Sequence, residues 1–221
     1  MFKVTRSETP IEWNNGNYRD PLVVNQLKKD FLSKCYLCEQ SDFGNINIEH
    51  FVPHLNQDKE LKTNWKNLYY SCSHCNGIKG PRHQELLDCC NENHNVDIAI
   101  GLEAPSVPNG KITLTNNLNS SSDLFDLTNK TIALLEQCYN NANSGTQQVS
   151  HQYLKEKILE EHAYLQSLRF QLKNGLNRLI QREKEDLVER ISNMLKPNYP
   201  FSAFWKTYVK NDPFLSVLLN Q

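Results

Sequence analysis

Apolar positions along the chain fall into two regimes. From Pro21 onward, Val24, Leu27, Phe31 and Leu32 recur at helical spacing, and Asp20-Pro21 is an N-cap followed by proline at the first helical position. The pattern predicts a helix over 21–33 that runs straight into the turn Cys35-Tyr36-Leu37-Cys38. Asn47-Ile48-Glu49-His50-Phe51-Val52 alternates and is rich in β formers, which predicts a strand ended by Pro53. The polar run 54–63 reads as a loop, and 65–70 (Trp-Lys-Asn-Leu-Tyr-Tyr) returns toward a second pair of cysteines. A helix starting near Ser73 or His74 would carry Asn76 and Lys79 on nearly one face. Beyond Pro81 the pattern predicts a short helix over 85–90 and a strand over 111–115 after the Asn109-Gly110 turn.

From Asp123 the pattern turns helical throughout. Ile132, Leu135 and Tyr139 mark one helix, ending before the Asn-Ser-Gly stretch at 143–145. Leu154, Ile158, Leu165, Leu168 and Leu172 mark a second, with Gly175 as its break. Leu179, Ile180, Leu187, Ile191 and Leu195 mark a third, closed by Pro197, and a last helix from Ser202 carries Phe204, Trp205 and Tyr208. The turn-like run 116–122 is a candidate boundary. The expected organisation is an N-terminal segment with one helix (1–34), a chemistry-bearing module (35–90), a mixed connector (91–122) and a helical region (123–221). The class is α+β.

Composition narrows the context. At 38% apolar residues a core is available. No run approaches the roughly 18 uninterrupted apolar residues of a membrane helix, and the first residues lack a signal-peptide pattern. A cytoplasmic, non-membrane protein is the expectation. The formal net charge is −1, from 24 basic against 25 acidic residues, so the basic excess usual in a free-standing nucleic-acid binder is missing. Either the cations are focused in space or another molecule delivers the substrate.

Four of the seven cysteines form two Cys-x-x-Cys pairs, Cys35/Cys38 and Cys72/Cys75. Two such thiolate hooks can close a tetrahedral Zn²⁺ site with no open position, hence a structural one. A redox dithiol is the alternative, although two pairs flanking one segment exceed what redox chemistry needs. His74 could replace one thiolate. Cys89, Cys90 and Cys138 are expected to be buried as small apolar residues beside Leu86, Leu87 and Leu135.

The run Cys-x-x-Cys, Ile48-Glu49-His50-Phe51-Val52-Pro53, Trp65-Lys66-Asn67-Leu68 and Cys72-Ser73-His74-Cys75-Asn76-x-x-Lys79 resembles an HNH endonuclease of the ββα-metal fold. The resemblance implies His50 as the general base that activates water and Glu49 as a ligand of a catalytic divalent ion, Mg²⁺ or Mn²⁺. It implies Asn67 as the residue tying down the loop that orients the base, and Asn76 as the helix-borne metal ligand, asparagine here standing where histidine is frequent. Chemistry agrees with these roles: a neutral imidazole can accept a proton near pH 7, and a hard ion takes carboxylate and amide oxygens while leaving positions for phosphate and water. One tension stands out, because adjacent strand residues point to opposite faces, so Glu49 and His50 need a bulge or twist to serve one centre. Lys79, Arg82 and His83 could grip the substrate backbone or simply end a helix in solvent. His54 could contact phosphate or be an ordinary loop histidine.

Cys-x-x-Cys-Glu, Ile-Glu-His-Phe-x-Pro, Trp-x-Asn-Leu and the long helical tail are similar to the HNH subunit of Septu-type anti-phage systems, including retron-associated ones; His54 stands where a basic residue is common. That likeness implies a DNA nuclease effector of antiviral defence, with an ABC or SMC-like ATPase docking on the C-terminal helices. An RNase, acting for example on transfer RNA, and a zinc-binding module without catalysis are the alternatives.

Overall fold

The computed structural model describes residues 1–10, 12–13, 16–41 and 43–219. The first helix, α1 (Pro21–Asp30), begins as its caps dictate: the Asp20 carboxylate accepts from Leu22 N, with proline behind it. It stops three residues short of the expected end. Leu32 and Ser33 both take left-handed backbone (φ 56° and 60°), turning the chain into the first cysteine pair. The buried stripe is Val23, Leu27 and Phe31, whereas Leu32 is exposed and Val24 faces a cleft.

Strand β1 (Ile46–His50) pairs antiparallel with β2 (Leu68–Cys72) in an unbroken register from Ile46↔Cys72 to His50↔Leu68. The expected strand ran to Val52, but the Asn67 carboxamide claims both Val52 N and Val52 O, which ends the ladder at His50. Within the expected loop lies a short helix, α2 (Lys59–Thr63), capped by the Asp58 carboxylate on Leu61 N. Helix α3 (Ser73–Lys79) follows β2 directly; Cys72 Sγ accepts from Cys75 N at its start, and Gly80, at φ 46°, closes it.

The helix expected over 85–90 is absent. Leu87 N bonds Thr131 Oγ1, Asp88 N bonds His94 Nδ1, Cys90 N bonds Asp88 Oδ1 and the Cys89 carbonyl accepts from Val4 N. Those partners take the groups an i→i−4 ladder would use, while Leu86, Leu87 and Cys89 still reach the core. Cys138 is buried as expected, and Cys90 is half-buried. Helix α4 (Val96–Ala99) leads into β3 (Ile100–Glu103), which pairs antiparallel with β4 (Thr113–Asn116); β3 had no counterpart in the sequence pattern.

The helical half comprises α5 (Phe125–Tyr139), α6 (Gly145–Gly175), α7 (Gln181–Met194), α8 (Ser202–Asn211) and α9 (Pro213–Leu218). Ser144 caps α6 ten residues before the first apolar marker of its stripe, and Asp212 caps an α9 that the pattern did not separate from α8. The expected helical region ran to residue 221, whose last two positions lie outside the described residues.

The turns at 116–122 separate elements without dividing the core. Leu134, Leu135, Cys138 and Tyr139 of α5 belong to one contiguous apolar cluster with Leu37, Cys75 and Ile78. His74 Nε2 lies 3.0 Å from the Cys138 carbonyl. The N-terminal segment joins the same core through Met1, Phe2 and Val4, and Arg6 donates to the Trp65 and Leu68 carbonyls at 2.5 Å each. No helix among the described residues is long and apolar enough to cross a membrane.

Candidate metal centre and catalytic cleft

Cys35, Cys38, Cys72 and Cys75 bring four sulfurs within 4.8 Å of one another, and all four residues are buried. Cys38 and Cys72 are 3.9 Å apart, far beyond a disulfide and close to the roughly 3.8 Å edge of a tetrahedron with Zn–S bonds of about 2.3 Å. Burial pushes the Cys35 thiol up, but hydrogen bonds with the sulfurs of Cys38, Cys72 and Cys75 bring it well below its usual value, while the neighbouring sulfurs raise the Cys38 and Cys75 thiols, as expected of close-packed thiols sharing protons. The donor set therefore fits a structural zinc. His74 is not part of it; its ring packs edge-on against His151 at 4.9 Å and its Nε2 is engaged by the Cys138 carbonyl. The knuckle is held to β2 by Tyr36 N on the Tyr70 carbonyl and is closed by Glu39 N on the Cys35 carbonyl.

Beside this clamp a cleft of about 760 Å³ opens, lined by Glu49, His50, His54 and Asn76 together with Tyr18 and Arg19 of the N-terminal segment. His50 is the last residue of β1, and its Nε2 lies 3.0 Å from the Lys62 carbonyl at the end of α2. A carbonyl only accepts, so Nε2 carries the proton and the Nδ1 lone pair is left for a substrate proton. Edge contacts from Tyr18 at 4.8 Å and His54 at 4.4 Å hold the ring. Burial lowers the His50 pKa below its ordinary value, against the Lys62 carbonyl, with the charges of His54, Lys79 and Lys62 adding to the shift. With its pKa lowered, the ring is mainly neutral at pH 7, the form that can accept a proton.

Asn67 ties the intervening loop shut. Its Oδ1 accepts from Val52 N at 2.7 Å, and its Nδ2 donates to the Val52 and Leu61 carbonyls at 2.9 Å each. One carboxamide thus fixes the chain on both sides of His54, including α2, whose last turn supplies the acceptor for His50. Asn76, half-buried on α3, presents a carboxamide with no hydrogen bond among the described residues, and its oxygen is available to a cation.

Glu49 and His50 reach one cleft without a bulge. Glu49 points inward, 8% exposed, where Lys79 Nζ holds its Oε1 at 2.7 Å. Burial raises its pKa above the carboxylate norm, against the pull of Lys79. Lys79, expected to grip substrate, is instead fully enclosed; its second bond, at 3.0 Å, goes to the His50 carbonyl. A lysine with 0% exposure, neutralised by Glu49, is a strut between α3 and β1 and offers no charge to a ligand. Arg82 is exposed and His83 half-buried, and neither is among the residues lining the cleft. Asn76 and the Glu49 carboxylate, whose Oε1 is engaged by Lys79, are the cleft's sparse oxygen donors, a set suited to a hard divalent cation that keeps most of its shell as water and phosphate.

Sequence reasoning missed Tyr18 and Arg19. They precede the Asp20 cap by two and one positions, in a stretch whose only pattern was polar, and the packing of α1 on β2 brings them to the cleft.

Residues 35–82 match the family model of the HNH endonucleases. The match takes in 48 of 221 residues and spans both cysteine pairs, β1, β2 and α3. It supports placing this segment in the HNH family and points to a nuclease. No curated protein and no solved structure matched the chain.

Proposed function

We propose that the chain is a divalent-metal-dependent endonuclease that hydrolyses phosphodiester bonds of DNA, acting as the effector of an anti-phage complex with an ABC or SMC-like ATPase. The observation that carries the hydrolase reading is the orientation of His50: Nε2 is committed to a backbone carbonyl, Nδ1 is free, and Asn76 and Glu49 line the same cleft. Water placed at Nδ1 gives up a proton there as its oxygen attacks phosphorus, and the Lys62 carbonyl stabilises the imidazolium that forms. Glu49 and Asn76 would hold Mg²⁺ or Mn²⁺, which supplies charge stabilisation at the phosphate and the departing oxygen. Asn67 keeps the loop carrying His54 and the Lys62 carbonyl from drifting away from the base.

The ATPase and the defence role rest on the likeness of the motif set to Septu-type subunits and on the charge balance. A net charge of −1 gives little long-range attraction for nucleic acid, which fits a subunit delivered to its substrate by a companion.

The test is cleavage by the purified chain, alone and with that ATPase, on DNA and RNA in Mg²⁺ or Mn²⁺. DNA cleavage that disappears in His50→Ala, with zinc content unchanged, is the expected result. His50→Ala cutting as well as the parent sinks the base assignment; cleavage of RNA alone moves the substrate to the second polymer; zinc binding without cleavage of either leaves an interaction module.

A further inference from the structure

We propose that Arg19 is the residue that grips the substrate phosphate in the HNH cleft, the part that the motif position of Lys79 does not play in this chain. The assignment rests on the phosphodiester reading above and deepens it.

A phosphodiester brings a full negative charge into the cleft, and more charge develops on its oxygens as water attacks, so a cation beyond the metal is needed to hold it. Lys79 cannot serve, being enclosed and paired with Glu49. Among the described residues lining the cleft, Arg19 is the one arginine or lysine. Its side chain is exposed, and none of the ion pairs among the described residues engages it.

Arg19 is also placed relative to the base. Its backbone N–H donates to Asn17 Oδ1 at 3.1 Å, which fixes the turn before α1. The guanidinium carbon sits 5.6 Å from the centre of the Tyr18 ring, and that ring packs edge-on against His50. Base, tyrosine and guanidinium therefore form one chain of contacts along the cleft wall. The neighbouring carboxylate, Asp20, accepts from Leu22 N as the cap of α1. A guanidinium presents a planar fork of donors that matches two phosphate oxygens, and a lysine in its place keeps the charge but loses the fork.

The experiment measures binding of a short DNA duplex across a salt series, together with kcat and KM, for the parent chain, Arg19→Ala, Arg19→Lys and Arg82→Ala. Arg19→Ala is expected to weaken binding about tenfold and to reduce the slope of log affinity against log salt by about one, the signature of one lost phosphate contact. Arg19→Lys is expected to keep the slope while turnover falls, and Arg82→Ala, outside the cleft lining, to lose less affinity than Arg19→Ala. Zinc content and melting temperature should stay at parent values, because Arg19 is exposed. Parent-like KM and salt slope in Arg19→Ala, with His50→Ala inactive, overturn the Arg19 assignment and leave the nuclease standing. A parent chain that neither binds nor cuts DNA or RNA overturns the nuclease reading, and this assignment with it.

Discussion

At the scale of single residues, the cleft divides its charges sharply by depth. Glu49 and Lys79 neutralise each other below the surface, so their pairing holds α3 against β1 and leaves the mouth of the cleft to His50, Asn76 and Arg19. His50 works under a corresponding constraint: the rings of Tyr18 and His54 that hold it also keep water from it. Desolvation disfavours the imidazolium, so the folded pKa sits below the ordinary histidine value of 6.5. The active form of a general base is the neutral one. The acidic limb of kcat/KM against pH should therefore lie below 6.5, with the rate at its plateau by neutral pH. Tyr18→Ala opens the ring to water and should move that limb upward toward the ordinary histidine range. A limb that stays in place in Tyr18→Ala would mean that burial by this ring does not set the pKa. The motif placed Glu49, His50, Asn67 and Asn76 in one neighbourhood, and the structure brings all four to the same loop and cleft. It could not distinguish an exposed lysine from an enclosed one at position 79, because that depends on which carboxylate lies across the sheet.

At the scale of elements, the cysteine pairs tie the knuckle after α1 to the start of α3. Their spacing was readable because each hook is local, and helix starts were readable for the same reason: Asp20, Ser73 and Ser202 each stand at or next to the position where a helix begins. The segments that could not be read take their partners from far away. Residues 85–90 look helical by composition, yet Thr131 and Val4 take two of their backbone groups across 44 and 85 positions. β3 is four residues long and gains its partner only after a nine-residue connection. Cys72 joins both kinds of information. Its sulfur belongs to the four-thiol cluster and, through Cys75 N, also begins α3, the helix that carries Asn76. Cys72→Ser should therefore release the zinc and cost the segment its cooperative tertiary structure, read as lost near-ultraviolet dichroism and about one zinc per chain appearing in a chelator assay, since metal binding and folding are coupled in such sites. A variant that remains folded and retains its metal would remove Cys72 from the ligand set.

At the scale of the whole molecule, the question is why a 48-residue segment matching the HNH model is embedded in a chain of 221. The answer lies on either side of the first hook. Lys34 and Glu39 bracket Cys35 and Cys38, both are fully enclosed, and their ion pair is 2.9 Å long. Lys34 Nζ also donates to the Pro197 and Tyr199 carbonyls at 2.8 Å and to Ser202 Oγ at 3.1 Å, so a single ammonium fastens the zinc knuckle to the turn between α7 and α8. Glu39 is held down to about 2 although burial opposes it, because Lys34 and the Met1 amine face its two oxygens. Losing the Lys34 ammonium, whose three N–H groups are shared among the Glu39, Pro197, Tyr199 and Ser202 acceptors, leaves a buried carboxylate with one cation fewer. Lys34→Met should then destabilise the whole chain by about 3–5 kcal/mol in denaturant melts, the usual cost of breaking one side of an enclosed pair. Hydrogen exchange tells whether the two halves are one unit. If they are, amides of the knuckle and of the 197–204 segment should lose protection together, because the same nitrogen ties both. Loss confined to 197–204, with the knuckle as protected as in the parent, would show that the helices fold around an independently stable module and that the shared core does not act as one cooperative body.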